Sequence, residues 1–393
     1  MEHLDDFRAA AVAFLERSKA DGTACPAFGA ILPPALHDRA RAWQRRMFDN
    51  GFAGIHWPAE HGGRGLTREH NAAWLEECAR AEVAAQLNLQ GLVLAGEAIL
   101  RSGTDEQKAR YLRPTLTGEI LWCQLFSEPG AGSDLAGLQT TAVRDGDRYV
   151  VRGQKVWSSN AEHAEMGILL ARTGTGPEHR GHRGISFFLL DMASPGVTVR
   201  PIRQMTGDRE FAEVFLDDVE VPADHLLGPE HQGWAVGMGV LQDERGSGAA
   251  GLVGLERRLA GLLARIAGAE GAKDAVAAAH RQAGLRLYAR GFALRAMLLR
   301  AGAGAGSPAS ASAAKLLRTE LEMDIELLLA TLRGTDALLS GPATDRFLYA
   351  PGMRIAGGTS EIQRNIIGEM ILGLPREPRP RRWASVRIHR ARP

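Results

Sequence analysis

Apolar residues recur at helical spacing toward both ends of the chain and alternate with polar ones through its middle. Leu4, Phe7, Ala11, Phe14 and Leu15 fall on one helical face, as do Trp74, Leu75, Cys78 and Ala81. The stretch Asn88–Ser102 reads as a further helix, with Gly103 as its stop and Thr104 as the cap of the next. Between these helices the glycines and proline of GIHWPAEHGGRGLT (54–67) mark an ordered loop. Near residue 121 the period shortens. TTAVR (140–144) and RYVVRG (148–153) flank Asp145-Gly146-Asp147, a hairpin signal. MGILLART, GISFFLLDM, GVTVRPI and FAEVFLDDVEVP follow as short strands rich in β-branched and aromatic residues. The longest loop between them is TGTGPEHRGHR (173–183). Helical spacing then returns at Trp234, Met238, Leu241, Arg245, Gly248, Leu252, Leu255 and Leu259. Two long helices are expected near 276–300 and 309–334, joined by AGAGAGSPASAS (301–312), which reads as a flexible surface loop.

This pattern predicts an α+β multidomain chain: an N-terminal helical domain (1–120), a compact antiparallel β-domain (121–232), a C-terminal helical bundle (233–378) and an arginine-rich tail (379–393). The tail region carries seven arginines between Arg376 and Arg392 and reads as solvated, with phosphate binding as the alternative. An α–β–α order without βαβ alternation argues against a Rossmann domain. Neither GxGxxG after a strand nor GxxxxGK[ST] occurs.

Composition narrows the function classes. The 393 residues are 45% hydrophobic and 24% charged, ordinary values for a folded protein. A net charge of +1 provides no overall basic field for nucleic acid or anionic lipid. Cys25, Cys78 and Cys123 are far apart and odd in number, which suggests neither a disulfide framework nor a metal site, and fits a reducing, cytoplasmic compartment. The N-terminal MEHLDDFRAA has no apolar core of a signal peptide, and no apolar run approaches the roughly 20 residues of a membrane span.

Three stretches can carry chemistry. CQLFSEPGAGSDLAG (123–137) sets Gly130 and Gly132 beside Ser127, Ser133 and Asp134. Such a loop exposes backbone N–H groups and hydroxyls together, which suits a ring with several acceptors; it also reads as an ordinary loop between helix and strand. GQKVWSSNAEHA (153–164) ends a strand with Trp157 and two serines. An indole here is either core or a flat wall against a planar cofactor. RIAGGTSEIQRNIIGEMILGLP (354–375) puts Gly357-Gly358 before Thr359 or Ser360 as N-cap, at a helix N-terminus or simply in a capped helix.

Together, SEPGAGSD, GQKVWSSNA and GGTSEIQRNIIGE resemble the signatures of the acyl-CoA dehydrogenase family, in the expected order across about residues 5–378. The resemblance implies an N-terminal helical domain, a middle β-domain, a C-terminal four-helix bundle and bound FAD. It implies cofactor contacts for Ser127, Gly132, Ser133, Trp157, Ser159 and Thr359, with Trp157 beside the flavin ring and Ser159 at its N5. Ser133 matches a residue touching pantetheine or cofactor.

The family's usual catalytic glutamate aligns with Gly357, which cannot remove a proton. In relatives that also lack it, the base stands at a Glu-Arg pair on the other side of the pocket, which implies Glu244 as base and Arg245 as a substrate-side neighbour. The Gly357 N–H would then donate to the thioester carbonyl. The implied partners are an acyl-CoA thioester and an electron-transfer flavoprotein or similar acceptor.

The stretches that hold FAD across subunits in homotetrameric relatives are not plain in AHRQAGLRLYARG (279–291) or LSGPATDRFLYAPG (339–352). In this the chain resembles actinobacterial heteromeric dehydrogenases of steroid side-chain CoA esters, so a dimer or tetramer, with a homologous second chain as one form, is expected. Two other readings stay open: a flavin monooxygenase or oxidase on the same fold, and a subunit inactive without its partner. His56 and His61 lack metal-ligand spacing, and His163 stands close to the flavin-side motif.

Overall fold

The computed structural model describes residues 2–28, 31–87, 89–174, 176–246, 249–268, 275–300 and 308–376; the side chains of residues 242–251, 275, 308 and 309 lie outside that description. The arginine-rich tail from residue 377 onward also lies outside it.

The N-terminal helices are α1 (Leu4–Ala20), α2 (His37–Asp49), α3 (Arg68–Ala81), α4 (Gly96–Ser102) and α5 (Asp105–Thr117), with a π-helical turn at Gln90–Ala95 leading into α4. Asp5 and Asp6 in the first turn of α1, and Arg17 and Lys19 in its last, complement the helix dipole. Thr104 caps α5 in a reciprocal capping box with Gln107. The apolar faces meet in an aromatic stack: Phe14 lies on Trp43 and Phe52, and Phe52 on Trp74. The Trp43 indole donates to the Ala84 carbonyl at 2.6 Å, so this buried tryptophan leaves no polar atom unmet. All three cysteines are buried and free, and burial pushes their thiols up, as for inert core thiols.

The middle of the chain forms one seven-stranded sheet: β1 (Trp122–Leu125), β2 (Thr141–Asp145), β3 (Arg148–Ser159), β4 (Met166–Arg172), β5 (Ile185–Asp191), β6 (Val197–Ile202) and β7 (Phe211–Pro222). The path runs β1-β4-β2-β3-β7-β6, with β5 on β4. Most ladders are antiparallel, as the hairpin signals predict. The exceptions are β1, which runs parallel to β4, and a single parallel β2–β4 bridge. Four residues of β1 were too few to register as a strand in the sequence.

Period-two alternation explains how two cores share one sheet. Ile168 and Leu170 of β4, with Phe187 and Leu189 of β5, face the N-terminal helices. Leu169, Ala171, Phe188 and Leu190, one residue out of step, face the β-domain's own core. That is why β4 and the first six residues of β5 show almost continuous burial.

The C-terminal part is helical: α6 (Gly233–Gly246), α7 (Ala249–Gly268), α8 (Ala275–Arg300), α9 (Pro308–Arg333), α10 (Pro342–Met353) and α11 (Ser360–Met370). Helix α9 begins at Pro308, so residues 308–312 of the expected loop are helical, while 301–307 lie outside the described residues; proline at a first helical position loses no hydrogen bond. Leu255, Leu259 and Leu262 of α7 share a core with Leu287 and Leu294 of α8 and Leu321 and Ile325 of α9. The fourth long helix, α6, packs on α9, on β5 and, through Val240, into the N-terminal core. Gly233 permits this: a Cβ there would stand 2.3 Å from the Phe187 nitrogen of β5.

The loop at 54–67 is clasped in a similar way, because the buried Trp57 indole reaches Gly96 of α4. Alanine is favoured over glycine within a helix by about 1 kcal/mol. Yet a Cβ at Gly96 would come 2.2 Å from the indole. Gly96→Ala is therefore expected to destabilise by about 1–3 kcal/mol in urea denaturation; a gain in stability would show that Trp57 is not confined there.

Candidate functional site

The first motif loop and the β3 motif are brought together by a buried ion pair. Lys155 is fully buried in β3, and its Nζ lies 2.8 Å from Glu128 Oε1 and donates to the Phe126 carbonyl at 3.1 Å. The same carboxylate accepts from the backbone N–H groups of Gln139 at 2.6 Å and Thr140 at 2.9 Å. Glu128 thus closes the loop from 128 to 140 upon itself. Ser127 is locked alongside, its carbonyl accepting from Val156 N–H at 2.9 Å. Arg172 of β4 holds the far side of the loop through the Ala136 carbonyl at 3.0 Å.

Burial disfavours both charges, but the pair offsets it. Glu128 is held below the usual carboxylate range, because Lys155 and the loop N–H groups outweigh desolvation. Burial pulls the Lys155 ammonium down to about 8, with Glu128 resisting, so it stays protonated at neutral pH.

Two residues after Lys155, Trp157 points the other way. In a regular strand both would share one face. The β3–β7 register shifts between Lys155 and Ser158, and Trp157 takes a left-handed backbone with φ 59°. Such a conformation costs a large residue about 1–3 kcal/mol and persists only where the surroundings enforce it. The bulge turns Trp157 outward, 57% exposed, touched edge-on by Phe211 with ring centroids 6.0 Å apart. Ser159 follows at the strand end, half-buried.

Ser127 therefore lies beside the C-terminal end of β3, which carries Trp157 and Ser159, while Gly132 and Ser133 stand exposed on the adjoining loop. A Cβ at Gly130 or Gly132 would meet nothing within 4 Å, so the backbone there is open to a ligand. A bare indole face, two hydroxyls and an open glycine backbone fit a planar, acceptor-rich ring such as a flavin.

The third motif lies on the helical domain. Gly357 and Gly358 adopt left-handed backbones (φ 65° and 95°), and Thr359 caps α11, its hydroxyl accepting from Ile362 N–H at 3.3 Å. Among the described residues no hydrogen bond joins Gly357 or Thr359 to Ser127, Trp157 or Ser159. The Tyr349 phenol of α10 is pushed up by burial first and by Glu210 second, and the Glu210 carbonyl accepts from Asn160 N–H just beyond Ser159. Glu244 and Arg245 lie in the last turn of α6, their side chains outside the described residues.

Three histidines stand elsewhere. His163 packs on His37 of α2, ring centroids 4.8 Å apart, rather than on the sheet edge. His56 pairs with Glu97 at 2.7 Å, and together with His61 they line a cavity of about 420 Å³ that contains none of the candidate residues. The Glu128–Lys155 pair was not picked out from the sequence. Its trace was there: Tyr149, Val151 and Lys155 occupy inward positions of β3, where a lysine needs a buried acceptor.

Glu128→Gln would leave the Lys155 ammonium buried without its counter-ion, and a loss of about 3–5 kcal/mol is expected in denaturant unfolding. Because the folded carboxyl titrates below 4.5, its contribution is fully present above that pH and disappears as pH falls through the folded value. The stability of the wild type should therefore drop more steeply below about pH 4.5 than that of Glu128→Gln; parallel curves would rule out a dominant role for the pair.

Comparison with known proteins follows this layout. Three family models match in order: acyl-CoA dehydrogenase N-terminal domain at residues 2–119, middle domain at 123–219 and C-terminal domain at 231–372. The acyl-CoA dehydrogenase IpdE1 of Mycobacterium tuberculosis is 38% identical over 349 residues, covering 86% of this chain and 89% of that protein. Among solved structures, the Tcur3481–Tcur3483 steroid acyl-CoA dehydrogenase superposes with a TM-score of 0.79 at 26% identity, over 96% of this chain and 99% of that one. The ChsE4–ChsE5 complex of Mycobacterium tuberculosis gives 0.75 at 30% identity, over 96% and 99%.

Proposed function

The chain belongs to the acyl-CoA dehydrogenase family, and from that premise we propose that it uses FAD to remove hydrogen from the α and β carbons of an acyl thioester, carried on coenzyme A or a carrier protein. The observation that carries this reading is the exposed Trp157 face beside Ser127 and Ser159, held there by the Glu128–Lys155 pair. FAD, when bound, supplies the acceptor for the β-hydride.

The chain's own residues do the rest. Trp157 walls one side of the ring, and Ser127 and Ser159 offer hydroxyls at its edge. Gly132 and Ser133 present backbone and hydroxyl toward the cofactor or the pantetheine arm, and Thr359 contacts the cofactor from the helical domain. The Gly357 N–H donates to the thioester carbonyl and stabilises the negative charge that grows there as the α-proton leaves. Glu244 takes that proton, since Gly357 has no side chain to do so, and Arg245 holds the substrate side of the base. An electron-transfer flavoprotein or a similar acceptor would take the two electrons. Similarity to a steroid acyl-CoA dehydrogenase supports a bulky acyl group.

A visible spectrum tests this directly. Purified protein should be yellow and should bleach on anaerobic addition of an acyl-CoA from a panel that includes steroid side-chain esters. Glu244→Gln should keep the flavin and lose bleaching by at least about 100-fold. Flavin indifferent to every thioester, but turning over with O2, would overturn the dehydrogenase reading in favour of an oxidase or monooxygenase. Colourless protein that turns yellow only with a second chain would assign it as one subunit of a heteromer.

The assembly follows from an uncovered apolar face. Leu285, Tyr288, Phe292 and Leu299 recur along one side of α8, each more than half exposed. Contact with a second copy or a homologous chain would bury them. Light scattering should give a dimer or tetramer, and Phe292→Glu should dissociate it; an assembly that survives the charge would place the interface elsewhere.

A further inference from the structure

Three helices meet beneath the Gly357–Gly358 turn. Lys315, on α9, is buried, and its Nζ donates to the Gly358 carbonyl at 2.7 Å and to the Arg354 carbonyl at 3.4 Å. Gln363, on α11, is wholly buried, and its Nε2 donates to the carbonyls of Gly357 at 3.0 Å and Gly358 at 3.2 Å. An ion pair between Arg364 and Glu320 fastens α11 to α9 close by. Both glycine carbonyls are thus held from the interior. Among the described residues, the N–H groups of Gly357 and Gly358 meet no acceptor.

The geometry of the peptide unit turns this into a statement about direction. The C=O and N–H of one peptide point to opposite sides of its plane. Carbonyls drawn inward at Gly357 and Gly358 therefore send the N–H groups of Gly358 and Thr359 outward. The Gly357 N–H lies in the preceding peptide, which is bracketed between the Ala356 N–H, donating to the Gly352 carbonyl at 2.9 Å, and the Gly357 carbonyl held by Gln363. Glycine alone would let these planes rotate freely. A buried ammonium is an unfavourable way to satisfy carbonyls that a neutral donor could satisfy equally well. What the charge adds is polarisation at Gly358: it draws electron density from that carbonyl, strengthens the outward Thr359 N–H of the same peptide, and lends a positive field to the turn where negative charge would develop.

We propose that Lys315 and Gln363 are positioning residues that fix the Gly357–Gly358 turn so that its N–H groups receive the thioester carbonyl of the substrate. The proposal rests on the Gly357 N–H being the carbonyl's donor, and it places the control of that donor in two side chains that never touch the substrate.

The test uses the flavin-loaded protein as purified, with any partner chain that accompanies it. The probes are crotonyl-CoA and 2-octenoyl-CoA labelled with 13C at the thioester carbonyl, read by isotope-edited infrared difference spectroscopy. In the wild type the carbonyl band of the bound probe shifts to lower frequency than in solution. In Lys315→Met the shift shrinks and the bleaching rate falls on the order of 10²–10³-fold, the effect of losing an oxyanion donor, while flavin content and half-saturating substrate stay near wild type. Gln363→Leu acts in the same direction and carries the test if Lys315→Met does not fold. A purely structural role would lower the melting temperature and leave the band unmoved. A wild-type band that does not shift for either bound probe overturns the Gly357 reading itself. A shifted wild-type band that persists in the folded variants overturns only the role of Lys315 and Gln363.

Discussion

Lys155 and Glu128 meet at 2.8 Å in a place where neither could remain charged alone. The lysine sits on a strand inside the sheet, and the glutamate on the loop that follows β1. Because an unpaired charge there would cost several kcal/mol, the loop has to return to the strand wherever the chain folds at all. Once it does, the two carboxylate oxygens accept from the N–H groups of Gln139 and Thr140, and the loop becomes a closed ring around one acid. Together with the Val156 N–H bond to the Ser127 carbonyl, the pair sets Ser127 beside the strand that carries Trp157 and Ser159.

The same strand shows how an inward anchor and an outward wall coexist two residues apart. Lys155 needs the interior, and Trp157 stands outside. A bulge with a left-handed tryptophan resolves the conflict at the expense of local backbone strain, which the pair and the surrounding ladder hold in place. The helical domain repeats the scheme with different groups. There a buried lysine and a buried glutamine hold a flexible glycine turn by its carbonyls, and the turn's other face is left with N–H donors. In both halves buried polar groups hold the backbone that carries the candidate residues.

Helix α6 connects these halves. It starts against the backbone of β5, buries Val240 among the N-terminal helices and packs on α9. Whatever its last turn presents is therefore referenced to all three parts of the chain. This gives a structural reason why a base placed at Glu244, rather than at position 357, could still address one site shared by sheet and bundle.

The sequence by itself determined the order of helical, β and helical segments, because periods of 3.6 and 2 are local properties of the chain. It also determined the cap at Thr104, left the cap of α11 between Thr359 and Ser360, and determined the strands from TTAVR to FAEVFLDDVEVP, and its three motifs were enough to point to the family. It did not reveal β1, whose four residues carry too little pattern, nor that β1 runs parallel to β4, since direction of pairing depends on where a distant strand lies. It extended the loop at 301–312 into what is the first turn of α9, because low-complexity alanine and serine serve helix and loop alike. Above all it could not show that Lys155 faces Glu128, that Trp157 is turned outward, or that Lys315 reaches Gly358. Each joins residues more than 25 positions apart or reverses a local alternation, and only the closing of the tertiary structure, which sets a buried charge against its partner, decides such contacts.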